Sequence, residues 1–598
     1  MRYRWNEGQQ PENPPTMPLQ GGQPYPSQPQ SGPYGQPQYG QQPDYGQQPG
    51  YGQQPQYGQQ PGYGQQPQYG QQPQYGQPQY DQAGQYGQQG YQQQGYQQGY
   101  QQQQQGWQQE PVDFGAPAAP PGRKGGKGWI IAIAAALAVV LFGGGAYALV
   151  ASGVLGTGTQ PHEVLPGNTV GYLRLDLNPD AGQKAALLAL SNKFTVTKGK
   201  VGEDPRKSLF DAMKAESEDL KDVDYAKDVE PWLGDRLGMA VIPGATPDQP
   251  GFAVAVEVKD EEQAKAGIAK LMKEEKYGLA FRDGYAILSD TSENAAKYAT
   301  GPTLAENAAF GEDFASLDGE GIMSFWADLG KIVSMAKDQL TPEQQAQIDK
   351  IKNARFVGAL RFDSAFAELT GRLRGAEQLT EGELAGADLS KLPASTAGAL
   401  SISGLDQAIT KAWADLEKSM GMGGPEVQQF VEQMKQQAGI AIPGDLATLL
   451  GKNLTLAVDS EGLDGDQPKI GVKLQTDPAK AQALIDKIMQ SFSSSGQPAP
   501  QIAKVPGDGV LTLATSEDYA KKLNEEGALG DSETFTTAIP DAGNANFALF
   551  VDLDKIEKFY LPNMQGDEKA NVQVLRAVGL SGTQTAGEAS FSLRVLFN

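Results

Sequence analysis

The amino-acid sequence predicts an α+β fold: a duplicated ectodomain of mostly antiparallel sheet with helices, preceded by a disordered tail and one transmembrane helix. Three observations predict it. The residues up to Lys127 are dominated by Gln, Gly, Pro and Tyr, a charge-free apolar stretch follows, and the remainder repeats itself about 220 residues apart. The expected divisions are a cytosolic tail over 1–127, the membrane helix over 128–151, a stalk over 152–165, and ectodomain repeats over 166–375 and 392–598.

In the tail, Y-G-Q-Q-P-x recurs through Tyr39, Tyr45, Tyr51, Tyr57, Tyr63, Tyr69 and Tyr75. Recurrent Pro blocks a helix, and so few aliphatic side chains leave no core to offset ordering entropy. Spaced Tyr in such a background suits either weak self-association or a passive spacer.

Gly128 to Ala151 is uncharged and reads W-I-I-A-I-A-A-A-L-A-V-V-L-F at its centre. About 22 apolar positions would span roughly 33 Å, enough for a bilayer core. Arg123, Lys124 and Lys127 precede it, and the next basic residue is Arg174, so the positive-inside bias predicts a cytosolic N-terminus and an extracytoplasmic C-terminus. Ala146-Tyr147-Ala148 resembles a cleavage site, but the long preceding tail fits an uncleaved anchor.

The repeat then organises the rest. Pro166-Gly-Asn-Thr169-Val-Gly171 pairs with Pro393-Ala-Ser-Thr396-Ala-Gly398, and Asp328-Leu-Gly-Lys331-Ile332 pairs with Asp552-Leu-Asp-Lys555-Ile556. Val357-Gly358 and Leu373-Arg374 correspond to Val578-Gly579 and Leu593-Arg594. Within each half, Phe252 to Val258 has strand propensity, Glu261 to Glu275 reads as a helix, and Asp283-Gly284 marks a hairpin with a counterpart at Gly507-Asp508-Gly509. Short helices should follow, opened by capping boxes at Asp290 with Glu293 and Thr515 with Asp518. One sheet or two are both compatible with this pattern.

Composition excludes much chemistry. The chain has 598 residues, 48 basic and 71 acidic, one His and no Cys, for a formal net charge of −23. No thiolate nucleophile, disulfide or thiolate metal site can form. A lone His162, placed in a linker by its surroundings, leaves no Ser-His-Asp triad or multi-His metal site. Strong acidity argues against nucleic acid as a partner.

The candidate sites have plain structural readings beside them. Asp328 and Asp552 are a repeated carboxylate pair of the kind glycoside hydrolysis needs, but each also suits a helix N-cap. Ser334-Met-Ala-Lys337 has the S-x-x-K spacing of acyl enzymes without the partner motifs. The acidic loop Asp459 to Asp466 breaks the EF-hand order and reads as a solvated hairpin loop rather than a Ca²⁺ site. Arg174 and Asp176 share a strand face with Tyr172, opposite Leu173, Leu175 and Leu177.

The opening from Thr169 through Tyr172, Arg174, Asp176, Pro179 and Gly182 to Lys184 resembles the domain of unknown function 3352 family over roughly 166–598. The resemblance implies an actinobacterial membrane-anchored protein with an extracytoplasmic domain, and brings no activity or catalytic residue. The expected function is a single-pass, non-enzymatic binding or scaffolding module, with no catalytic, cofactor-binding or metal residues and no cofactor. Its expected partners are the membrane itself and an extracytoplasmic protein, glycan or lipid. A carrier or sensor of an apolar, lipid-like ligand is the alternative, and a carboxylate-based cell-wall glycan hydrolase the third reading.

Overall fold

The computed structural model describes residues 158–598, apart from short stretches at 196, 199–203, 217–219, 247–248, 274–275, 336–344, 346–347, 378, 420–424, 464–467 and 495–499. The first eight strands are β1 (Gly171–Asp176), β2 (Leu233–Thr246), β3 (Gln249–Val258), β4 (Gly278–Arg282), β5 (Tyr285–Ser289), β6 (Met323–Asp328), β7 (Arg355–Phe362) and β8 (Phe366–Arg374). The second eight are β9 (Thr396–Ser403), β10 (Asn453–Asp459), β11 (Ile470–Gln475), β12 (Ala503–Pro506), β13 (Val510–Ala514), β14 (Phe547–Asp552), β15 (Leu575–Gln584) and β16 (Glu588–Phe597).

All sixteen join one antiparallel sheet. The first set runs β8-β7-β6-β1-β2-β3-β5-β4, and the second repeats that order as β16-β15-β14-β9-β10-β11-β13-β12. The sets meet where β8 pairs with its counterpart β16, so equivalent edges face each other as in a twofold dimer. Register across this seam sets Glu368 opposite Arg594 and Glu588 opposite Arg374.

The expected fold class needs correction. The described residues form a large antiparallel sheet with helices, and among them no helix is long and apolar enough to cross a membrane. The tail over 1–127 and the apolar segment over 128–151 lie outside the described residues. The described end of the expected stalk packs onto the body: Pro161–Glu163 forms a 3-10 turn, and Val164 and Leu165 are fully buried.

Local chemistry explains most element boundaries. Asp283 and Gly284 turn the β4–β5 hairpin with φ of 48° and 81°, the left-handed pair that Asp-Gly supplies at low cost. Asp260 caps the helix Glu261–Met272 through Gln263 N. The two short post-hairpin helices are capped one residue later than the capping boxes suggest: Thr291 accepts from Asn294 N and Ser516 from Tyr519 N. Asp290 is instead engaged by the Asn294 side chain and the Ser289 hydroxyl.

The two faces are covered unequally. One face carries Tyr172, Ala240, Tyr285 and Trp326 in the first set and Ala399, Ala457, Phe550 and Ala577 in the second, under short helices that include Ala308–Phe314, Glu517–Asn524 and Glu533–Ala538. On the opposite face of the first set, helices Ala181–Ser191, Pro205–Glu216 and Glu261–Met272 bury Leu187, Leu190, Leu209, Phe210 and Ile268 against Leu175, Met323 and Val254. In the second set the helix Pro478–Ser494 buries Ala481, Leu484 and Ile485, whereas no described residue of helices Leu405–Ser419 or Gly444–Leu450 is buried.

Candidate functional site

Each of the repeated carboxylates caps the helix that follows it. Asp328 Oδ1 accepts from Lys331 N at 2.9 Å and its Oδ2 lies 2.9 Å from Lys331 Nζ. Asp552 caps the helix Leu553–Tyr560 in the same way, accepting from Lys555 N at 3.2 Å with Lys555 Nζ at 3.5 Å. Ser334 donates to Gly330 O, one turn back in its own helix, while Lys337 lies outside the described residues. In the acidic loop, Asp459 is fully buried and takes the Ser395 hydroxyl at 2.8 Å and Lys522 at 3.3 Å, and Glu461 pairs with Lys469 and Lys522. Asp464 and Asp466 fall outside the described residues, and among the described ones no cluster of acidic or His side chains could hold a metal.

Arg174 and Asp176 form a buried ionic cluster. Arg174 Nη2 sits 2.5 Å from Asp176 Oδ2, Arg236 Nε reaches the same oxygen at 3.4 Å, and all three side chains are 5% exposed or less. Arg174 also donates to Gln160 Oε1 and Gly321 O, and Arg236 lies 3.4 Å from Glu257 Oε1. Burial works against the Arg236 charge, but Asp176 and Glu257 outweigh it and raise its pKa. Lone His162 packs beside Tyr172 and Phe310, with ring centroids 6.1 and 5.3 Å away. Burial lowers its pKa, against Glu320 and Glu163, and neither its Nδ1 nor the Tyr172 hydroxyl has a hydrogen-bond partner.

At matching register the second set carries no charge: Ser401, Ser403 and Asn453 stand where Arg174, Asp176 and Arg236 stand in the first. Asn453 Nδ2 donates to Ser401 and Ser403 at 2.9 and 2.8 Å, and Thr455 donates to Asn453 Oδ1. The neutral group of the second set thus satisfies its polar side chains internally.

The feature without a structural explanation is on the other face of the second set. Ladder register aligns Val472, Leu456, Leu400, Leu549, Leu580, Leu593 and Leu369 in one row across β11, β10, β9, β14, β15, β16 and β8. The neighbouring rows are Leu474, Leu454, Ile402, Phe547, Gly582, Phe591 and Gly371 on one side, and Ile470, Val458, Gly398, Val551, Val578, Val595 and Ala367 on the other. No polar side chain interrupts the grid. Every residue of the central row is half-buried and joins none of the buried cores. Aromatic rings lie over the glycines: a Cβ on Gly582 would meet Phe547 Cζ at 2.3 Å, and one on Gly371 would meet Phe591 Cε1 at 2.6 Å.

Helices close this floor at both ends. At the β13 end, Leu511 is buried and Leu513 packs beside it under Ile485 and Met489 of the helix Pro478–Ser494. At the β7 end, Leu360 packs into the core formed with Leu187 and Leu190 of Ala181–Ser191. Two further clefts, of about 480 and 450 Å³, sit at loops and helix ends around Tyr298–Thr303 and around Thr448–Lys452. The first lies away from the grid, while the second adjoins its edge through Gln475, next to Leu474.

The sequence reading missed this floor. Its signal is present in N-L-T-L-A-V-D and A-L-S-I-S, where large apolar residues alternate with small or polar ones. Alternation shows two faces but not which of them helices leave uncovered.

Fold and site together define a sheet-and-helix protein built from two repeated sets of strands, with one set filled and the other partly open. The family model described as Protein of unknown function (DUF3352) matches residues 131–314. The match spans under a third of the chain and ends within the first set, and its description assigns no activity. No curated protein and no solved structure matches.

Proposed function

We propose that the protein works by binding rather than catalysis, and that it binds an apolar ligand on the open floor of the second set. One contrast supports this reading. The same sheet face is filled by helix side chains in the first set, whereas in the second set the central row of the apolar grid, from Val472 to Leu369, stays half-buried. Antiparallel sheets ordinarily turn their large apolar face to the core, and a contiguous uncovered one marks an interaction site. The candidate acid–base residues are meanwhile occupied as caps and ion pairs.

The expected carrier is therefore asymmetric, with a solid first half and a binding second half. Leu549 lies at the centre of the grid, and Leu549→Lys puts an ammonium where the ligand would lie. Anilinonaphthalene sulfonate fluorescence of the full chain should titrate at least about tenfold more weakly for this variant, equivalent to about 1.4 kcal/mol. Ile332→Lys, on an exposed site away from the grid, should match the parent. Equal titrations for both variants, with unchanged far-UV circular dichroism, would remove the floor as the binding surface.

A further inference from the structure

Resting on that binding role, we infer that the ligand is a single linear alkyl chain, the tail of an amphiphile, lying across the strands along the Val472-to-Leu369 row. Seven strands give six inter-strand steps, about 29 Å, and three rows spaced two residues apart give about 14 Å of width. The resulting floor of roughly 400 Å² is about half of what each partner contributes to a standard protein interface. A globular partner or second copy would find too little surface here, and the helices Leu405–Ser419 and Gly444–Leu450 are tethered beside it by the short links to β9 and β10.

A thin chain suits the same space. The row meets only aliphatic side chains, so nothing along it selects for polar substituents or branching. Helices about 10 Å thick wall it at β13 and β7, which fixes a maximum length. One bilayer leaflet is about 15 Å deep in hydrocarbon, so the row accommodates a tail up to nearly twice that length. The polar head must then leave sideways, toward the strand ends.

The test is a titration of the full chain with a homologous series of saturated fatty acids, each below its critical micelle concentration. Affinity should rise roughly fourfold per methylene and then level off once the chain fills the row. Leu593→Lys, near the seam, should move the plateau to shorter chains while leaving short-chain affinity within about twofold, and Val472→Lys should do so from the opposite end. Equal loss at every chain length in both variants overturns the lengthwise placement. Affinity independent of chain length, with anilinonaphthalene sulfonate still bound, overturns the linear ligand but spares the binding role. Failure of both probes on the folded parent overturns both.

Discussion

Asp176→Ala should destabilise the protein by about 3 kcal/mol, the low end for breaking a buried ion pair, because Glu257 stays beside Arg236 and Glu320 beside Arg174. Asp176 Oδ2 is shared by Arg174 and Arg236, and neither guanidinium has solvent to turn to at 5% exposure. Its other oxygen accepts from Asn178 N, so the substitution also strands a backbone donor where the chain leaves β1. Urea denaturation followed by circular dichroism should show the midpoint fall with little change in slope. The triple change Arg174→Met, Asp176→Leu, Arg236→Met should cost less than Asp176→Ala alone, because apolar groups of similar volume require no counter-charge. A triple variant less stable than the single one would show that the cluster itself, not merely its neutrality, holds the sheet together.

The second set shows that this position tolerates a neutral solution, since Ser401, Ser403 and Asn453 satisfy one another there. The difference has a structural consequence. Charged residues tie β1 and β2 to the segment at Gln160 and to Gly321, fixing the N-terminal strap and the loop before β6 to the first set. The neutral cluster reaches no such neighbours in its hydrogen bonds. A braced, filled half beside a less constrained half is consistent with one half serving as scaffold and the other as binding surface.

Much of this fold is legible in the sequence because it rests on short-range chemistry. Asp283-Gly284 specifies a tight hairpin, Asp260 and Asp552 specify helix starts, and the Tyr172-to-Leu177 alternation assigns its faces. Their causes lie within a few residues of one another. The join between the halves is different: Glu368 and Arg594 are 226 residues apart, and no local pattern says that β8 seeks β16. The pairing Val357-Gly358 with Val578-Gly579, reasonable as a sequence match, also fails as geometry. Gly358 shares a sheet face with Phe325, whereas Gly579 faces Phe550 and Arg594 on the other side. A one-residue drift in a strand exchanges its faces, so sequence similarity there does not preserve environment. The open floor was hidden for a related reason: its exposure depends on helices that fail to bury side chains, a property of packing rather than of the strands.

Glu368→Ala should loosen the seam, at a cost of about 2–3 kcal/mol, discounted from a fully buried pair because its partners keep some solvent. The carboxylate accepts from the Ser592 hydroxyl at 2.6 Å, Arg361 at 2.5 Å and Arg594 at 3.1 Å, while both arginine side chains are 16% exposed. Burial alone would raise the Glu368 pKa, but the Ser592 hydrogen bond and the charges of Arg594 and Arg361 outweigh it and hold the carboxyl below its usual range. The folded-state pKa is therefore depressed, so the stabilisation is fully present above the unfolded value near 4.3 and is lost as pH falls through the lower folded value. The stability difference between parent and Glu368→Gln should accordingly be flat from neutral pH to about 5 and shrink below about 4. Amide exchange should rise most in β8 and β16, since opening there needs only that ladder to part. A difference that grows on acidification, or exchange that rises uniformly across the sheet, would mean that Glu368 does not act through the seam. Because Leu369 and Leu593 of the open row lie on these same two strands, a loosened seam should also weaken binding of the longest alkyl chains before that of short ones.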